Sequence, residues 1–418
     1  MQKFFKLLLS VVLLSLFTQS SLCQNPSEEL KYKRSSLHTL MIADDSREHS
    51  ATIQDVFMNA PLIDKFNNHS VDYRMVPKIE IQSQPDTNSI LSQNENHIED
   101  RPMAILNYLN KNNVAKSLVS KWFNRSESGG FNMDLVAERG YYNASDLDVK
   151  IANTSERGTA LLADAGESLI KNTFIIVDDF KYTNKEEVAK KTKGFLSAVS
   201  SVASTLGKNN LALVADATSA GVGVAGKGYI IKTQAYLYKL VWNEEVATIF
   251  YNDFWTDDNN LDLEKKKAFD ETELFKLEYV GTETSWADLQ STSLTRKTNE
   301  ELISVATLRA VDNVIAKLQR KFEVFRTKTP LTGVDPLSAK IGMKEGLEKG
   351  DKYEVLEQVL NENGIVEYKR LGVIKVDKNH IWDNRYNANE ENPSEFTYTT
   401  FSGGKNKFFP GMLIRQIN

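Results

Sequence analysis

The stretch from Tyr229 to Trp255, YIIKTQAYLYKLVWNEEVATIFYNDFW, constrains the fold of this chain more than any other. It holds two β-prone runs, Tyr229–Trp242 and Val246–Trp255, joined by the polar Asn243-Glu244-Glu245. Val, Ile, Tyr, Thr, Phe and Trp suit a pleated, half-buried surface. A short polar connection between two such runs reads as a β-hairpin. Alternation puts Ile231, Thr233, Ala235, Leu237 and Val241 on one face. Tyr236, Tyr238, Leu240 and Trp242 fall on the other. The pattern predicts a hairpin at the centre of the main sheet.

Other segments arrange themselves around that centre. Phe174–Val177 is short, apolar and β-branched, and reads as a buried strand; Leu274–Val280 reads as another. Asp100 and Pro102 mark a helix start, Met133–Arg139 a short helix stopped by Gly140, and Ser155 the cap of a helix reaching Ile170. Thr183 or Asn184, with Glu186 or Glu187 beyond, reads as a further helix start. Thr298-Asn299-Glu300-Glu301 is a capping box. The helix it opens keeps Val311, Ile315, Leu318 and Phe322 on one stripe, with Arg309, Asp312, Lys317 and Arg320 away from it. Such a helix covers one face of the sheet. After Asp335-Pro336 the character changes to short strands with turn residues, including Gly342, Gly346, Gly350 and Asn363-Gly364. The expected fold is α+β: a mixed or antiparallel sheet covered by helices, then a small SH3-like or OB-like β-barrel. The expected organisation is a leader over 1–23, an irregular polar segment over 24–101, an α/β domain over 102–330 and the barrel over 335–418. Apolar islands at Leu37–Ile42 and Val56–Ile63 are expected to pack on the main body.

The N-terminus carries a compartment signal. Lys3 and Lys6 precede an apolar run from Leu7 to Phe17, and Ser21-Leu22-Cys23 offers a cleavage site before Gln24. This is the architecture of a secretory signal peptide, and the run is too short to span a bilayer comfortably. Cys23 is the single cysteine, so cleavage after it leaves a chain without disulfides. Leu22 fits poorly before a lipidated cysteine. The formal net charge is -5, which argues against a nucleic-acid partner, since such proteins present a basic face.

Sites are scarce. Gly221-Val222-Gly223-Val224-Ala225-Gly226-Lys227 imitates phosphate-loop patterns. Gly228 stands where the P-loop needs Ser or Thr, and a strand rather than a helix follows. His38, His49, His69 and His97 do not fall into a metal-ligand spacing and read as surface or loop histidines. Asp178-Asp179 could serve metal or acid–base chemistry, yet read as a solvated strand end. No residue is therefore assigned a catalytic, cofactor-binding or metal-ligating role, and no cofactor is expected. Ser197–Gly228, rich in Ala, Ser, Val, Leu and Gly, reads as a soluble helical hairpin or, in the sharper alternative, a membrane-inserting segment.

The order of helix, buried strand Phe174–Val177, small-residue insertion, Tyr229–Trp255 and helix Glu300–Phe322 resembles the periplasmic α/β domain of curli secretion channel-like proteins. AKIGMKEGLEKGDKYEVLE at Ala339–Glu357, with LGVIKV at Leu371–Val376, resembles the β-domain ending flagellar assembly protein T-like sequences. The whole chain resembles secreted proteins of Bacteroidota. The resemblance implies a non-enzymatic protein exported to the periplasm or outer-membrane periphery, working as a scaffold or assembly factor with envelope proteins. Edge strands and the small-residue segment offer surfaces for homo-oligomerisation and outer-membrane association. Two alternatives stand beside it. One is an oligomeric secretion-channel-like component inserting residues 197–228. The other is a periplasmic hydrolase using Asp178, Asp179, Asp164 and Glu167.

Overall fold

The computed structural model describes residues 32–47, 49–61, 63–78, 97–141, 158–184, 228–290, 297–360, 366–388, 396–404 and 407–417. The main sheet is built on strands β1 (Ser36–Ala43), β2 (Asn67–Asn68), β3 (Met75–Pro77), β4 (Thr173–Asn184), β5 (Gly228–Leu240) and β6 (Leu277–Gln290). Its order is β2-β1-β4-β5-β6, with β3 also on β1. β1 runs parallel to β2, β3 and β4. β5 lies antiparallel between β4 and β6. The sheet is thus mixed, and the chain is α+β as expected.

Tyr229–Leu240 lies one strand in from the β6 edge, with β4 rather than β5 at the middle of the order, and its two faces divide as the alternation predicts. Tyr236, Tyr238, Leu240 and Trp242 join one core with Leu40, Ile42, Ile175 and Val177. Helices α2 (His97–Lys111), α3 (Val114–Trp122) and α4 (Asp134–Gly140) cover that side. Ile231, Ala235 and Leu237 face the opposite side, under helix α8 (Asn299–Lys321).

The hairpin itself is corrected. Val246–Trp255 is not the partner strand of Tyr229–Trp242. It forms helix α6 (Glu244–Ile249) and a π-helical turn, Phe250–Phe254. Asn243 caps it, its side chain accepting from the Val246 amide at 2.9 Å. Val246, Phe250 and Phe254 are all buried, and their spacing of four residues is helical rather than alternating. Phe250 stacks on Phe123 at 4.4 Å and meets Phe131, Trp242 and Phe269 edge-on. The antiparallel partner, β6, is reached only after helix α7 (Leu263–Glu271). Gly281 on β6 leaves the space that the Phe322 ring fills, since a Cβ there would stand 2.1 Å from it.

Two further expectations change. Leu37–Ile42, expected as an island within an irregular segment, is the body of β1 and pairs with β4 from Ser36↔Thr173 to Met41↔Asp178. Helix α1 (Ser50–Asn59) follows it, with Ile53 and Phe57 buried against Phe180 and α8. Thr183 and Asn184, read as a helix start, are the last residues of β4. The remaining helix, α5 (Gly158–Glu167), lies within the range expected for it and packs on α4. Ser155, Glu186, Glu187, Asn363-Gly364, the glycine run 221–227 and the insertion before Gly228 lie outside the described residues.

α8 starts at the Thr298 capping box, as the sequence indicates. Its apolar stripe packs on the sheet, and on its charged side Arg309 and Asp312 are buried as well, while Lys317 stays exposed. The C-terminal sheet takes the order β7-β13-β10-β11-β12-β9-β8. These strands are β7 (Thr329–Pro330), β8 (Gly333–Val334), β9 (Leu337–Ala339), β10 (Lys352–Leu360), β11 (Val366–Val376), β12 (Thr399–Ser402) and β13 (Leu413–Ile417). β7 and β8 end that order yet are successive pieces of one short segment, so the sheet curls back on itself around Val355, Ile374 and Ile414. Gly346 and Gly350 have φ of 71° and 86°, turn geometry that a side chain would strain. Gly342 is extended instead.

α8 joins the two sheets. Arg309 donates through Nε and Nη2 to the Tyr386 carbonyl at 3.1 and 2.9 Å. Arg320 pairs with Asp351 at 2.7 Å and also donates to the Gly346 carbonyl. Asp312 is buried between them. Residues Tyr32–Asn418 form one compact unit.

Candidate functional site

Parallel strands gather loops at their carboxyl ends, where α/β sheets commonly bind ligands. Here β1 ends at Asp44 and Asp45, β3 at Lys78, and β4 carries Asp178-Asp179 level with the end of β1. This end of the sheet brings Asp44, Arg47, Lys78, Arg101 and Asp179 together.

Asp44 accepts from Ser46 Oγ at 2.6 Å and pairs with Lys78 and Arg47, each at 2.7 Å. Burial works against its ionisation. The bonds from Lys78 and Ser46, with the Arg47 charge, override that and draw its carboxyl down to about 2. Asp179 pairs with Arg101 at 2.7 Å and with Arg47 at 3.5 Å. The cavity beside this network, between Met41, Asp44, Arg47, Phe180 and Tyr182, measures about 10 Å³. That holds a water and nothing larger.

Asp178 and Asp179 do not form a solvated strand end. β4 continues past them to Asn184, and they are 0% and 4% exposed. Nor do they act on one space, because neighbours on a strand point to opposite faces. Asp179 lies on the side of Val177, toward α2; Asp178 lies on the side of Ile176 and Phe180, under α8. Both Asp178 oxygens lack a hydrogen-bond partner among the described residues. Burial, with the Asp179 charge beside it, pushes the Asp178 carboxyl well above the usual range. Both effects disfavour its charged form. Asp164 and Glu167 sit elsewhere, on α5. Burial, helped by the Asp164 charge, pushes Glu167 up. The four acids thus form two separate pairs rather than one centre.

Two of the histidines also depart from expectation. His38 and His69 are fully buried. His69 accepts from Arg139 at Nδ1, 2.7 Å, and donates from Nε2 to the Leu118 carbonyl, 2.9 Å. That arrangement selects the neutral ring. Arg139 is itself buried, bonded to Ser36 Oγ and the Asn68 carbonyl, and stacked over Trp122 at 4.3 Å. Burial pulls its guanidinium down to about 10 and His38 down to about 3. Arg139 carries no sequence signal beyond its place on α4, because the cage around it comes from β1, β2 and α3. His49 meets Tyr229 edge-on, and His380 meets Phe396.

Among the described residues no group of side chains could hold a metal ion, and no helix is long and apolar enough to cross a membrane. The charged end of the sheet also carries Asn184 and Gly228, which flank residues 185–227 in the chain, with Asn184 opposite Tyr229 in the register. What this arrangement can do is hold β1, β3, β4 and α2 together at that end through saturated ion pairs. No family model matches the chain, and no curated protein matches it.

Proposed function

We propose that this is an exported, non-enzymatic envelope protein that serves as a scaffold or assembly factor at the outer-membrane periphery. The observation that carries the reading is the use to which the acids are put. Asp44 and Asp179 are committed to Lys78, Arg47 and Arg101, Asp178 is sealed under α8, and the adjoining cavity admits no substrate. The leader-like N-terminus supports export. The interlocked body and barrel support a rigid platform for envelope partners. N-terminal sequencing of the protein from the envelope fraction tests export, with Gln24 the expected first residue; a chain in the cytoplasm that still begins at Met1 would overturn it. An activity abolished by Asp178→Asn with Asp179→Asn, in a variant whose circular dichroism shows the native fold retained, would overturn the non-enzymatic part.

A second reading is favoured by one feature. Residues 185–227 are rooted in two adjacent antiparallel strands, β4 and β5, at one sheet end. A segment rooted that way suits a channel-like component that inserts it after oligomerisation. Partition of the purified mature protein into liposomes as an oligomer supports this reading; a monomer that stays in solution removes it.

A further inference from the structure

We propose that the corner where α4 meets β1 and β2 is an acid-operated latch: protonation of His69 expels the Arg139 guanidinium and frees α4 from the sheet. α4 turns Arg139 inward. Its Nη1 donates to His69 Nδ1 at 2.7 Å and to Ser36 Oγ at 3.0 Å, and its Nη2 to the Asn68 carbonyl at 3.0 Å. Ser36 lies on β1, Asn68 on β2, and His69 is the next residue along. Among the described residues these are the side-chain hydrogen bonds that tie α4 to the sheet.

His69 can accept from Arg139 only while its ring is neutral. Its Nε2 donates to the Leu118 carbonyl at 2.9 Å, so a second proton must go to Nδ1. That proton turns the acceptor into a donor and sets two cations 2.7 Å apart in a buried corner. Away from water such a pair repels strongly. The surrounding elements add positive charge rather than offset it. Lys121 acts on the ring from α3, and His38 from β1. Neither ring nitrogen of His38 has a hydrogen-bond partner among the described residues, and Arg74 acts on it in turn. Lys121 donates to the Ser70 carbonyl, and Arg74 to the carbonyls of Thr39, Met58 and Phe57, so both are bonded to neutral oxygens. The acids in reach, Glu138 on α4 and Asp72 ahead of β3, are exposed and act only through space, on Arg139 and Lys121. Burial, with the charges of Arg139 and Lys121, accordingly holds His69 well below its ordinary value.

Expulsion of Arg139 has a defined consequence. The guanidinium stacks over Trp122 at 4.3 Å, so its departure uncovers that ring. α4 also packs on α5 backbone to backbone. A Cβ at Gly140 would stand 1.8 Å from the Leu162 carbonyl oxygen, and one at Gly166 1.9 Å from that of Val136. The two helices therefore move together. A histidine that is neutral in the fold and titrates at about 6.5 when exposed contributes stability above that pH and loses it as pH falls. The latch is thus closed at neutral pH and weakens in mild acid. Asp44 stays ionised through that window, its carboxyl being drawn down to about 2, so the ion pairs at the other end of β1 hold.

Hydrogen exchange of the purified protein across mildly acidic pH, corrected for the intrinsic pH dependence of exchange, tests the latch. The opening of α4 and α5 is expected to rise about tenfold for each pH unit below about 6, the slope of one proton taken up. β5, in the same sheet, is expected to keep its protection. His69→Asn retains a side-chain oxygen that can accept from Arg139 but takes up no proton, and is expected to abolish the slope. Protection of α4 that does not fall in acid overturns the proposal, as does a fall shared equally by β5, which is global unfolding. A slope retained in His69→Asn overturns it as well. Should His69→Asn fold poorly, the wild-type difference between α4 and β5 decides the matter.

Discussion

Asp178 and Asp312 are buried acids whose environments disfavour ionisation, and each makes a pH prediction. Burial pushes Asp312 up to about 7, with Lys344 opposing and Glu345 reinforcing; Asp178 is raised well above the usual range. A folded-state value above the unfolded one means that the stability is fully present near pH 4 and is lost as pH rises through the folded value. Asp312→Asn is therefore expected to melt higher than wild type at pH 8, by on the order of 1–4 kcal/mol. That gap should close by about pH 4. Asp178→Asn should show the same sign, read from melting curves across that range. Neither behaviour is legible in the sequence. Asp178-Asp179 reads there as a strand end because its cover comes from β1 and α8, more than a hundred residues away on either side. Asp312 reads as solvent-facing because the sheet-side stripe of α8 is plain, whereas the surface docked on its other side is assembled from Gly346, Asp351 and Tyr386.

At the level of elements, composition misleads where position decides. Val246–Trp255 is as β-prone as Tyr229–Trp242, but Asn243 followed by Glu244-Glu245 is a helix start, and Val246, Phe250 and Phe254 recur every four residues. Those signals were in the sequence and outweigh β-propensity, which is context-dependent. Strand β1 was harder to see, because its His38 and Thr39 break the apolar run and its partner β4 lies far along the chain. By contrast α8 and the two faces of β5 were readable from local pattern alone. The aromatic cluster gives the helical turn its own test. Phe250→Ala is expected to cost about 3–5 kcal/mol, measured by denaturant unfolding. A cost near zero would mean that Phe250 is not buried among Phe123, Phe131 and Trp242.

For the whole molecule, the consequence of α8 is mechanical. One face of the helix packs on the main sheet; the other holds the curled C-terminal sheet through Arg309 and Arg320. The scaffold role proposed above would draw on such coupling, since a partner held on the C-terminal sheet would then be held in register with the body. The coupling also predicts cooperative unfolding. Scanning calorimetry of the purified protein tests this directly. The account predicts one transition whose calorimetric and van't Hoff enthalpies agree, and its separation into two when Arg309→Ala and Arg320→Ala are combined. Two separate transitions in the wild-type protein would contradict it.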